Sequence, residues 1–302
     1  MTGPAPDAAP ARVVGAHGRH VVVETPAGER RRCHLRGKRN EAVVGDFVRW
    51  RRAGDEGVVE AIEPRRNLMY RSDEWRTKSF AANVDGVLLM VAGSPLFSES
   101  QLARASIAAT AAGIDAAIVL NKIDLPETAL ARERLAPYRA LGMAVVEVAL
   151  KPTPAAALEL LWPRLRGRVT LVLGASGVGK STLVNRLVPT AAAQVGELSR
   201  ALRSGRHTTT TTTWYWLDAE RRSALIDTPG FQEFGLRQID AVRLASLMPD
   251  LQPWIGQCRF DDCTHREEPG CAVLAAVDRG EIAASRYRIY RELYDELAPS
   301  RR

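Results

Sequence analysis

Apolar and polar positions follow two different rhythms along the chain. Between residues 12 and 63, short apolar stretches such as HVVVET, VVGDFVRW and VVEAIEP are separated by turns that contain glycine. Segments of this length and spacing are typical of the short strands of a small β-barrel. About five strands in roughly 55 residues fit an oligonucleotide/oligosaccharide-binding (OB) barrel, and an SH3-like barrel would produce much the same pattern. We therefore predict an OB-like barrel over residues 12–65.

The rhythm changes after about residue 80. Apolar runs such as VDGVLLMVAG, AAIVLNK and RVTLVLG end in polar or glycine turns, and helical stretches separate most of them. This alternation predicts a parallel sheet with helices on both faces over residues 81–235. Residues 66–80 are basic and show no clear period, which predicts an irregular linker. Residues 1–11 are rich in alanine and proline and are predicted to be disordered, whereas residues 236–302 predict a helical domain around a cysteine cluster.

A phosphate-binding loop lies between an apolar strand, VTLVL, and a helix, STLVNRLV. Residues 174–181, GASGVGKS, satisfy the pattern G-x-x-x-x-G-K-[ST] in full. The backbone N–H groups of such a turn, together with a helix N-terminus, form a concave anion site. Lys180 is expected to reach the β- and γ-phosphates, and the Ser181 hydroxyl to bind Mg²⁺. The predicted nucleotide-binding residues here are Gly174, Ala175, Ser176, Gly177, Val178, Gly179, Lys180, Ser181 and Thr182.

Two further stretches follow the phosphate loop. ALIDTPG ends in D-x-x-G, which places Asp227 to support Mg²⁺ through water and the Gly230 N–H to contact a γ-phosphate. Between the two motifs, SGRHTTTTTTWYWL contains a row of threonines. This row is either an exposed β-edge or a switch loop in which one threonine completes the Mg²⁺ coordination. Its position favours the switch loop, with Thr209 as the candidate and Thr208 or Thr210 as alternatives.

The tetrapeptide NKID, which comprises Asn121, Lys122, Ile123 and Asp124, follows the apolar strand AAIVL. It therefore lies at the edge where an open α/β sheet binds ligands. The Asp124 carboxylate can accept hydrogen bonds from both N1–H and N2–H₂ of guanine, and adenine offers no such pair. NKID is thus the predicted guanine reader, with Asn121 tying its loop to the phosphate turn. Residues 150–153 do not match the Ser-Ala-Lys loop expected to back the guanine.

The order of these motifs is itself informative. In most guanine-nucleotide switches the phosphate loop precedes the guanine reader, and here NKID comes first. A sheet can be rebuilt with its strands rejoined in another order, so the arrangement predicts a circularly permuted P-loop fold.

A compact set of metal ligands lies near the end of the chain. Cys258, Cys263, His265 and Cys271 offer three thiolates and one imidazole in the spacing Cys-x4-Cys-x-His-x5-Cys. This is a closed Cys₃His set for tetrahedral zinc, which predicts one structural ion whose binding is coupled to folding. The fourth cysteine, Cys33, is expected to be a small buried apolar residue.

Charge and composition narrow the class of protein. The 302 residues carry a formal net charge of +7. Residues 1–80 hold 16 Lys and Arg against 11 Asp and Glu, a net of +5, which fits either an ordinary solvated surface or a nucleic-acid footprint. No apolar run is long enough for a membrane span, and the first residues lack the apolar core of a signal peptide. We expect a cytoplasmic monomer without a membrane segment.

The succession NKID, GASGVGKS, GRHTTT and DTPGF, followed by a Cys/His cluster, resembles the ribosome small-subunit-dependent GTPase A family, also called YjeQ. The resemblance covers nearly the whole chain, including FAANVDGVLLM and the small barrel. It implies a circularly permuted GTPase that acts in late maturation of the bacterial 30S subunit, with 16S rRNA as a partner. It also implies Mg²⁺ with GTP, a zinc-bearing C-terminal domain, and slow hydrolysis that the 30S subunit stimulates.

The residue that orients the attacking water is not obvious. Phe231 follows D-T-P-G where Ras-like switches use glutamine, and Gln232 comes one place late. The resemblance implies that the water is positioned from elsewhere, with His207 as the candidate; an exposed loop residue without a catalytic role is the equal alternative.

Three functional hypotheses remain open on the sequence. In the first, contacts to the γ-phosphate reposition both flanking domains against ribosomal RNA, so that the GTP state binds and hydrolysis releases. The second is a zinc-stabilised RNA-binding protein that senses guanine nucleotide with negligible turnover. The third is an ATPase.

Overall fold

The chain folds into a β-barrel, an α/β layer and a set of short helices, in that order. The computed structural model describes residues 8–17, 20–36, 41–72, 77–191, 194, 212–228 and 236–298. The strands in these ranges are β1 (Ala9–His17), β2 (His20–Glu24), β3 (Arg30–Leu35), β4 (Phe47–Ala53), β5 (Glu56–Ile62), β6 (Leu68–Ser72), β7 (Thr77–Ala82), β8 (Gly86–Ala92), β9 (Asp115–Asn121), β10 (Val145–Val148), β11 (Val169–Gly174), β12 (Thr213–Trp216) and β13 (Ala224–Asp227). The α-helices there are α1 (Glu99–Ala111), α2 (Thr128–Ala140), α3 (Pro154–Leu165), α4 (Lys180–Leu187), α5 (Ala241–Leu244), α6 (Ala272–Asp278) and α7 (Ala284–Leu297). None of the helices in these ranges is long and apolar enough to cross a membrane.

Strands β1 to β5 close into the predicted barrel. Strand β1 pairs antiparallel with both β2 and β4, β2 pairs with β3, and β4 with β5, whereas β3 and β5 run parallel. This closed order, 1-2-3-5-4, is that of an OB barrel and not of an SH3-like one. Valines dominate the interior because β-branched side chains pack well on a pleated surface. The prediction of an OB-like barrel is confirmed.

The stretch predicted to be an irregular linker contains a β-hairpin instead. Strands β6 and β7 pair antiparallel, and a bridge between Val44 and Ala81 joins the hairpin to the barrel. Met69 and Phe80 are buried in the main core. The pattern missed these strands because so few of their positions are apolar and because arginines surround them. Strand β1 likewise begins at Ala9, inside the segment predicted to be disordered. The domain boundaries themselves stay a prediction.

The middle of the chain forms the predicted parallel sheet. Its strand order is β10-β9-β8-β11-β13-β12, with β12 antiparallel at the edge and the other five strands parallel. Helices α3 and α4 cover one face, where Leu161 and Leu183 are fully buried. Helices α1 and α2 cover the other face and share one core with the C-terminal helices. The sheet places the carboxyl ends of β9, β11 and β13 at one edge.

The C-terminal helices are anchored on the α/β layer by a buried arginine. Arg286 of α7 donates two hydrogen bonds to Asp250, at 2.9 and 3.1 Å, and a third to the Tyr138 hydroxyl of α2, at 3.1 Å. Its guanidinium also lies 4.7 Å from the centre of the Tyr138 ring. Both charged side chains are almost fully buried, at 3% and 4% exposure. Such a pair fixes how two surfaces fit, because neither charge tolerates burial alone.

We therefore expect Arg286→Ala to lower the free energy of unfolding by about 3 kcal/mol or more, since it leaves the Asp250 carboxylate buried without a partner. Denaturant unfolding of the purified protein measures this. Arg288→Ala, in an exposed pair with Glu292 on the same helix, is the matched control and should cost about 0.5 kcal/mol or less. Equal effects of the two variants would contradict the anchoring role.

Candidate nucleotide site and metal cluster

A cleft of about 480 Å³ opens at the carboxyl ends of β9, β11 and β13. This volume suits a small-molecule ligand. The cleft brings together residues from three separate motifs, as expected for an open α/β sheet. The predicted site residues that line it are Asn121, Lys122, Asp124, Ser176, Gly177, Gly179, Lys180, Ser181, Thr182 and Asp227.

The phosphate loop turns sharply into helix α4. Gly179 is the N-terminal cap of the helix and has a φ of 112°, in the region that favours glycine. A Cβ at this position would lie 2.2 Å from the Asn121 side-chain nitrogen, so only glycine allows the loop to approach so closely. The Lys180 Nζ donates to the carbonyls of Gly174 and Ala175, at 2.6 and 2.9 Å. The loop thus directs a helix N-terminus and a lysine to one place, which is an anion site.

Asn121 joins the NKID loop to two other loops. Its side-chain amide donates to the Val178 carbonyl of the phosphate loop at 2.9 Å. Its side-chain oxygen accepts from the Leu150 N–H, after β10, at 3.1 Å. The residue is almost fully buried, so neither bond competes with water. One side chain therefore sets the spacing of three loops around the cleft.

The remaining NKID residues occupy different positions. Lys122 has a φ of 64°, and its Nζ donates to the Ser94 carbonyl, after β8, at 2.6 Å. Asp124 is exposed and lines the cleft, so its carboxylate is accessible to a ligand. Ile123 does not line the cleft; its N–H donates to the Val148 carbonyl at 3.3 Å and holds the loop against β10. Gly174, Ala175 and Val178 likewise shape the phosphate loop without lining the cleft.

Asp227 is a buried carboxylate with an unused oxygen. Within the described residues, its Oδ1 has no hydrogen-bond partner. Burial raises the pKa of Asp227 to about 6, and the nearby Lys180 ammonium opposes the rise. A cation with its bound water would supply the missing partner, so the residues present here fit Mg²⁺. The other predicted contributors, His207, Thr208, Thr209, Thr210 and Gly230, lie outside the described residues, as does Phe231.

Several lining residues escaped the sequence patterns. Leu150 and Lys151 line the cleft although their loop lacks the expected Ser-Ala-Lys motif, and so do Leu125 and Thr228. The Leu150 contact uses a backbone N–H, which any residue can provide, so no residue type marks it. The signal that could have located these residues is their position, because their loop follows β10, the strand that pairs with β9.

The four predicted zinc ligands lie together. Their ligand atoms are within 4.8 Å of one another. The His265 Nδ1 is 3.4 Å from the Cys258 sulfur and 3.5 Å from the Cys271 sulfur, and the two sulfurs are 3.8 Å apart. A tetrahedral zinc ion would place two sulfurs about 3.8 Å apart and a sulfur and a nitrogen about 3.6 Å apart. The residues therefore fit zinc, with His265 presenting Nδ1.

The surroundings favour a cation at this cluster. Burial raises the pKa of the Cys263 thiol to about 12, so a thiolate there needs a positive partner. Burial also lowers the pKa of His265, which keeps the neutral imidazole that binds metals. The backbone N–H groups of Ala272 and Leu274, in the first turn of α6, point to the sulfurs of Cys258 and Cys271. The site is a charged-ligand cage that an ion would complete.

Residues around the cluster hold its loop in shape. The Glu268 carboxylate accepts from the backbone N–H groups of Thr264, Arg266 and Glu267 at 2.7, 2.9 and 3.1 Å. Tyr287 and Tyr290 of α7 donate to the carbonyls of His265 and Thr264 at 3.0 and 2.7 Å. Although burial opposes it, the hydrogen bonds from Thr264 and Arg266 hold the pKa of Glu268 below its usual range. The ligand loop is thus fixed from α7, which is itself anchored on α2.

The basic barrel is less positive locally than its net charge suggests. Most arginines in its described part face a carboxylate: Arg36 and Arg51 share Glu60, Arg49 pairs with Glu63, and Arg65 with the buried Asp46. Such pairs neutralise the surface between them. Charge alone therefore still does not select nucleic acid over a solvated surface.

Comparison with known proteins decides the family. A family model described as RsgA GTPase matches residues 62–237, more than half of the chain. The chain belongs to the RsgA GTPase family. It is 56% identical over 294 residues to a protein of Variovorax paradoxus called small ribosomal subunit biogenesis GTPase RsgA, covering 96% of this chain and 92% of that one. A Burkholderia pseudomallei protein of the same name is 50% identical over 291 residues, covering 95% and 92% of the two chains.

Solved RsgA-type structures have the same fold. YjeQ from Thermotoga maritima superposes with a TM-score of 0.72 at 31% identity, covering 98% of this chain and all of that one. YloQ, described as a circularly permuted GTPase, gives 0.70 at 26% identity, with 98% of each chain covered. The predicted resemblance, the permuted GTPase fold and the GTPase activity are thereby confirmed. The ligand-binding roles of individual residues stay predictions.

We expect Asn121→Ala to weaken guanine-nucleotide binding at least tenfold, because it releases both the phosphate loop and the loop after β10. It should also lower the free energy of unfolding by about 1–3 kcal/mol, since two buried backbone groups lose their partners. Titration with GDP and denaturant unfolding measure the two effects. Asn185→Ala, an exposed asparagine on α4, should change neither. Lost stability with unchanged nucleotide affinity would show that Asn121 is only structural.

We expect the purified chain to hold about one zinc ion. Cys263→Ser should lose that ion and lower the thermal unfolding midpoint, because the ligand loop then has no cation to balance its thiolates. Cys33→Ala changes a cysteine buried in the barrel and is the matched control; it should keep the ion. Elemental analysis and thermal denaturation provide the readouts, and loss of zinc from both variants would contradict the assignment.

Proposed function

We propose that the chain is a GTP-hydrolysing factor in late maturation of the bacterial small ribosomal subunit. In this proposal it binds 16S rRNA within the 30S subunit in the GTP state and is released on hydrolysis. The observation that carries the nucleotide part is the meeting of Asp124, the phosphate loop and Asp227 in one cleft. The names of its close relatives support the ribosomal part. Because ribosome assembly takes place there, we place the protein in the cytoplasm, as a monomer.

The roles of the cleft residues follow from their chemistry. Asp124 accepts from the guanine ring, Lys122 lies along the base, and Asn121 and Ile123 fix their loop. The backbone N–H groups of residues 174–182 hold the phosphates at the N-terminus of α4. Lys180, whose pKa is lowered mainly by burial, exchanges its loop carbonyls for phosphate oxygens.

The second half of the site serves hydrolysis. Ser181 and Thr209 would hold Mg²⁺, with Asp227 acting through water. When bound, that ion neutralises charge on the transferring phosphate. The Gly230 N–H would contact the γ-phosphate, and His207 would orient the attacking water. Because no glutamine follows D-T-P-G, we infer that turnover is slow until the 30S subunit binds.

The Cys₃His cluster supports a second, structural role for a cation. We propose that one zinc ion holds residues 258–271 in shape and keeps the C-terminal helices docked on α2. Its four protein ligands leave no open position for a substrate, so this ion would take no part in hydrolysis.

Turnover assays with GTP and ATP, each with and without 30S subunits, test the proposal. We expect slow GTP hydrolysis alone, at least tenfold stimulation by 30S subunits, and negligible ATP hydrolysis. Asp124→Asn should weaken GTP binding at least tenfold, because the guanine donors lose a charged acceptor. Asp115→Asn changes an exposed aspartate at the start of β9, away from the cleft, and should leave GTP binding unchanged. GTP binding without subunit-stimulated turnover would instead favour the nucleotide-sensing RNA-binding protein.

The release step has its own test. We expect the protein loaded with a non-hydrolysable GTP analogue to cosediment with 30S subunits, and the GDP-loaded protein to do so at least tenfold more weakly. Equal binding of the two forms would rule out hydrolysis as the release signal.

A further inference from the structure

One of the contacts between the barrel and the nucleotide-binding sheet runs through a short strand, β12. Strand β12 has four residues and lies at the edge of the α/β sheet, where it pairs with β13. On its other side, Thr213 pairs with Gly15 of barrel strand β1. The same Thr213 lies opposite Asp227 of β13. With strands about 4.8 Å apart, the barrel backbone is roughly 10 Å from Asp227 along one row of residues.

An arginine of the barrel forms cation–π contacts with this strand. The Arg12 guanidinium lies 4.1 Å from the centre of the Phe47 ring of β4 and 4.5 Å from that of Trp214 of β12. Trp216 is 6.0 Å away on the same strand. Within the described residues no carboxylate lies at ion-pair distance from Arg12, although the charges of Asp85 and Glu24 act on it from further away, so the aromatic faces are its direct contacts. A desolvated arginine between aromatic rings holds its neighbours more tightly than an exposed one.

A second barrel residue holds the other tryptophan of β12. Glu24 is almost fully buried and accepts a hydrogen bond from the Trp216 Nε1 at 2.6 Å. The same carboxylate lies 3.6 Å from Arg221, in the turn between β12 and β13. Both tryptophans of β12 are therefore held from the barrel side. All four residues of β12 pair with β13, and Trp214 and Tyr215 are fully buried, so the barrel contacts add to the support that the sheet already gives this strand.

We propose that Arg12 is a positioning residue for GTP hydrolysis, which acts through Trp214 and Thr213 on the placement of Asp227. Strand β11 fixes Asp227 from one side, where Val172 is its partner, and β12 fixes it from the other. Without Arg12, the buried Trp214 ring loses a cation–π partner, and the placement of Thr213 opposite Asp227 becomes less tightly fixed. A displaced Asp227 would support magnesium poorly. The inference rests on the proposed role of Asp227 and needs no ribosomal partner.

Single-turnover GTP hydrolysis over a range of magnesium concentrations, without 30S subunits, tests the proposal. We expect Arg12→Ala to lower the rate at saturating GTP at least fivefold and to raise the magnesium concentration for half-maximal rate at least threefold. Arg12→Lys keeps the charge but loses the planar stacking surface, so its rate and its magnesium requirement should lie between those of Arg12→Ala and the wild type. GDP affinity measured without magnesium should stay within twofold for both, because the phosphate loop is untouched.

Two further variants make the result specific. Arg279→Ala removes a similar arginine–tryptophan contact, 5.3 Å from the Trp254 ring in the C-terminal part, and should leave rate and magnesium requirement within twofold. Asp227→Asn should show the magnesium shift in its strongest form. If circular dichroism shows that Arg12→Ala does not fold, the rate and magnesium requirement of Arg12→Lys test the proposal instead.

Three results would overturn the proposal. If the Arg12 variants keep the wild-type rate and magnesium requirement, Arg12 has no positioning role, whereas the proposed role of Asp227 is unaffected. A slower rate with an unchanged magnesium requirement would show that Arg12 only stabilises the interface and does not act through Asp227. An unchanged magnesium requirement in Asp227→Asn would remove the role of Asp227, and the action of Arg12 through it.

Discussion

The nucleotide site depends on the two hydrogen bonds of the Asn121 side chain. This buried amide connects the phosphate loop, 57 residues further along the chain, with the loop after β10. The contact is set by position in the sheet, since β9 and β11 both lie next to β8. The order of the strands along the chain does not affect this contact. A permuted chain can therefore keep the same site, provided that the strands pair in the same order and Gly179 leaves room for the amide.

What the permutation changes is where the flanking parts attach. The C-terminal helices lie on α1 and α2, and Arg286 binds Tyr138 of α2, the helix that follows the NKID loop. The barrel instead holds β12, next to the strand that carries Asp227. One flanking part is thus anchored next to the NKID loop and the other next to the strand that carries Asp227.

Contiguous motifs made much of this protein predictable. GASGVGKS, NKID and the Cys₃His spacing each state their chemistry within a few residues, and strand–helix alternation gives the parallel sheet. The missed features depend on contacts between distant residues. Leu150 contributes a backbone N–H, β6 and β7 bury only a few apolar side chains, and Arg12 is one arginine among many. Their partners are set by tertiary packing, which no local pattern encodes. Roles assigned to His207 and the threonine row concern residues outside the described ranges.

The two proposed cation sites solve the same physical problem. Asp227 carries a buried oxygen without a partner in the described residues, and the cysteine cluster contains two thiols, those of Cys263 and Cys271, whose ionisation burial opposes. Each arrangement is unfavourable alone, because a buried charge without a partner is costly. A cation that binds the folded chain and not the unfolded one offsets that cost by mass action. The Cys₃His cluster offers four protein ligands, so an ion bound there would have no open position and could stay permanently. The Asp227 side chain lines an open cleft, so we expect a cation there to arrive and leave with the nucleotide. In this proposal, the difference in enclosure separates an ion that stabilises the fold from one that takes part in turnover.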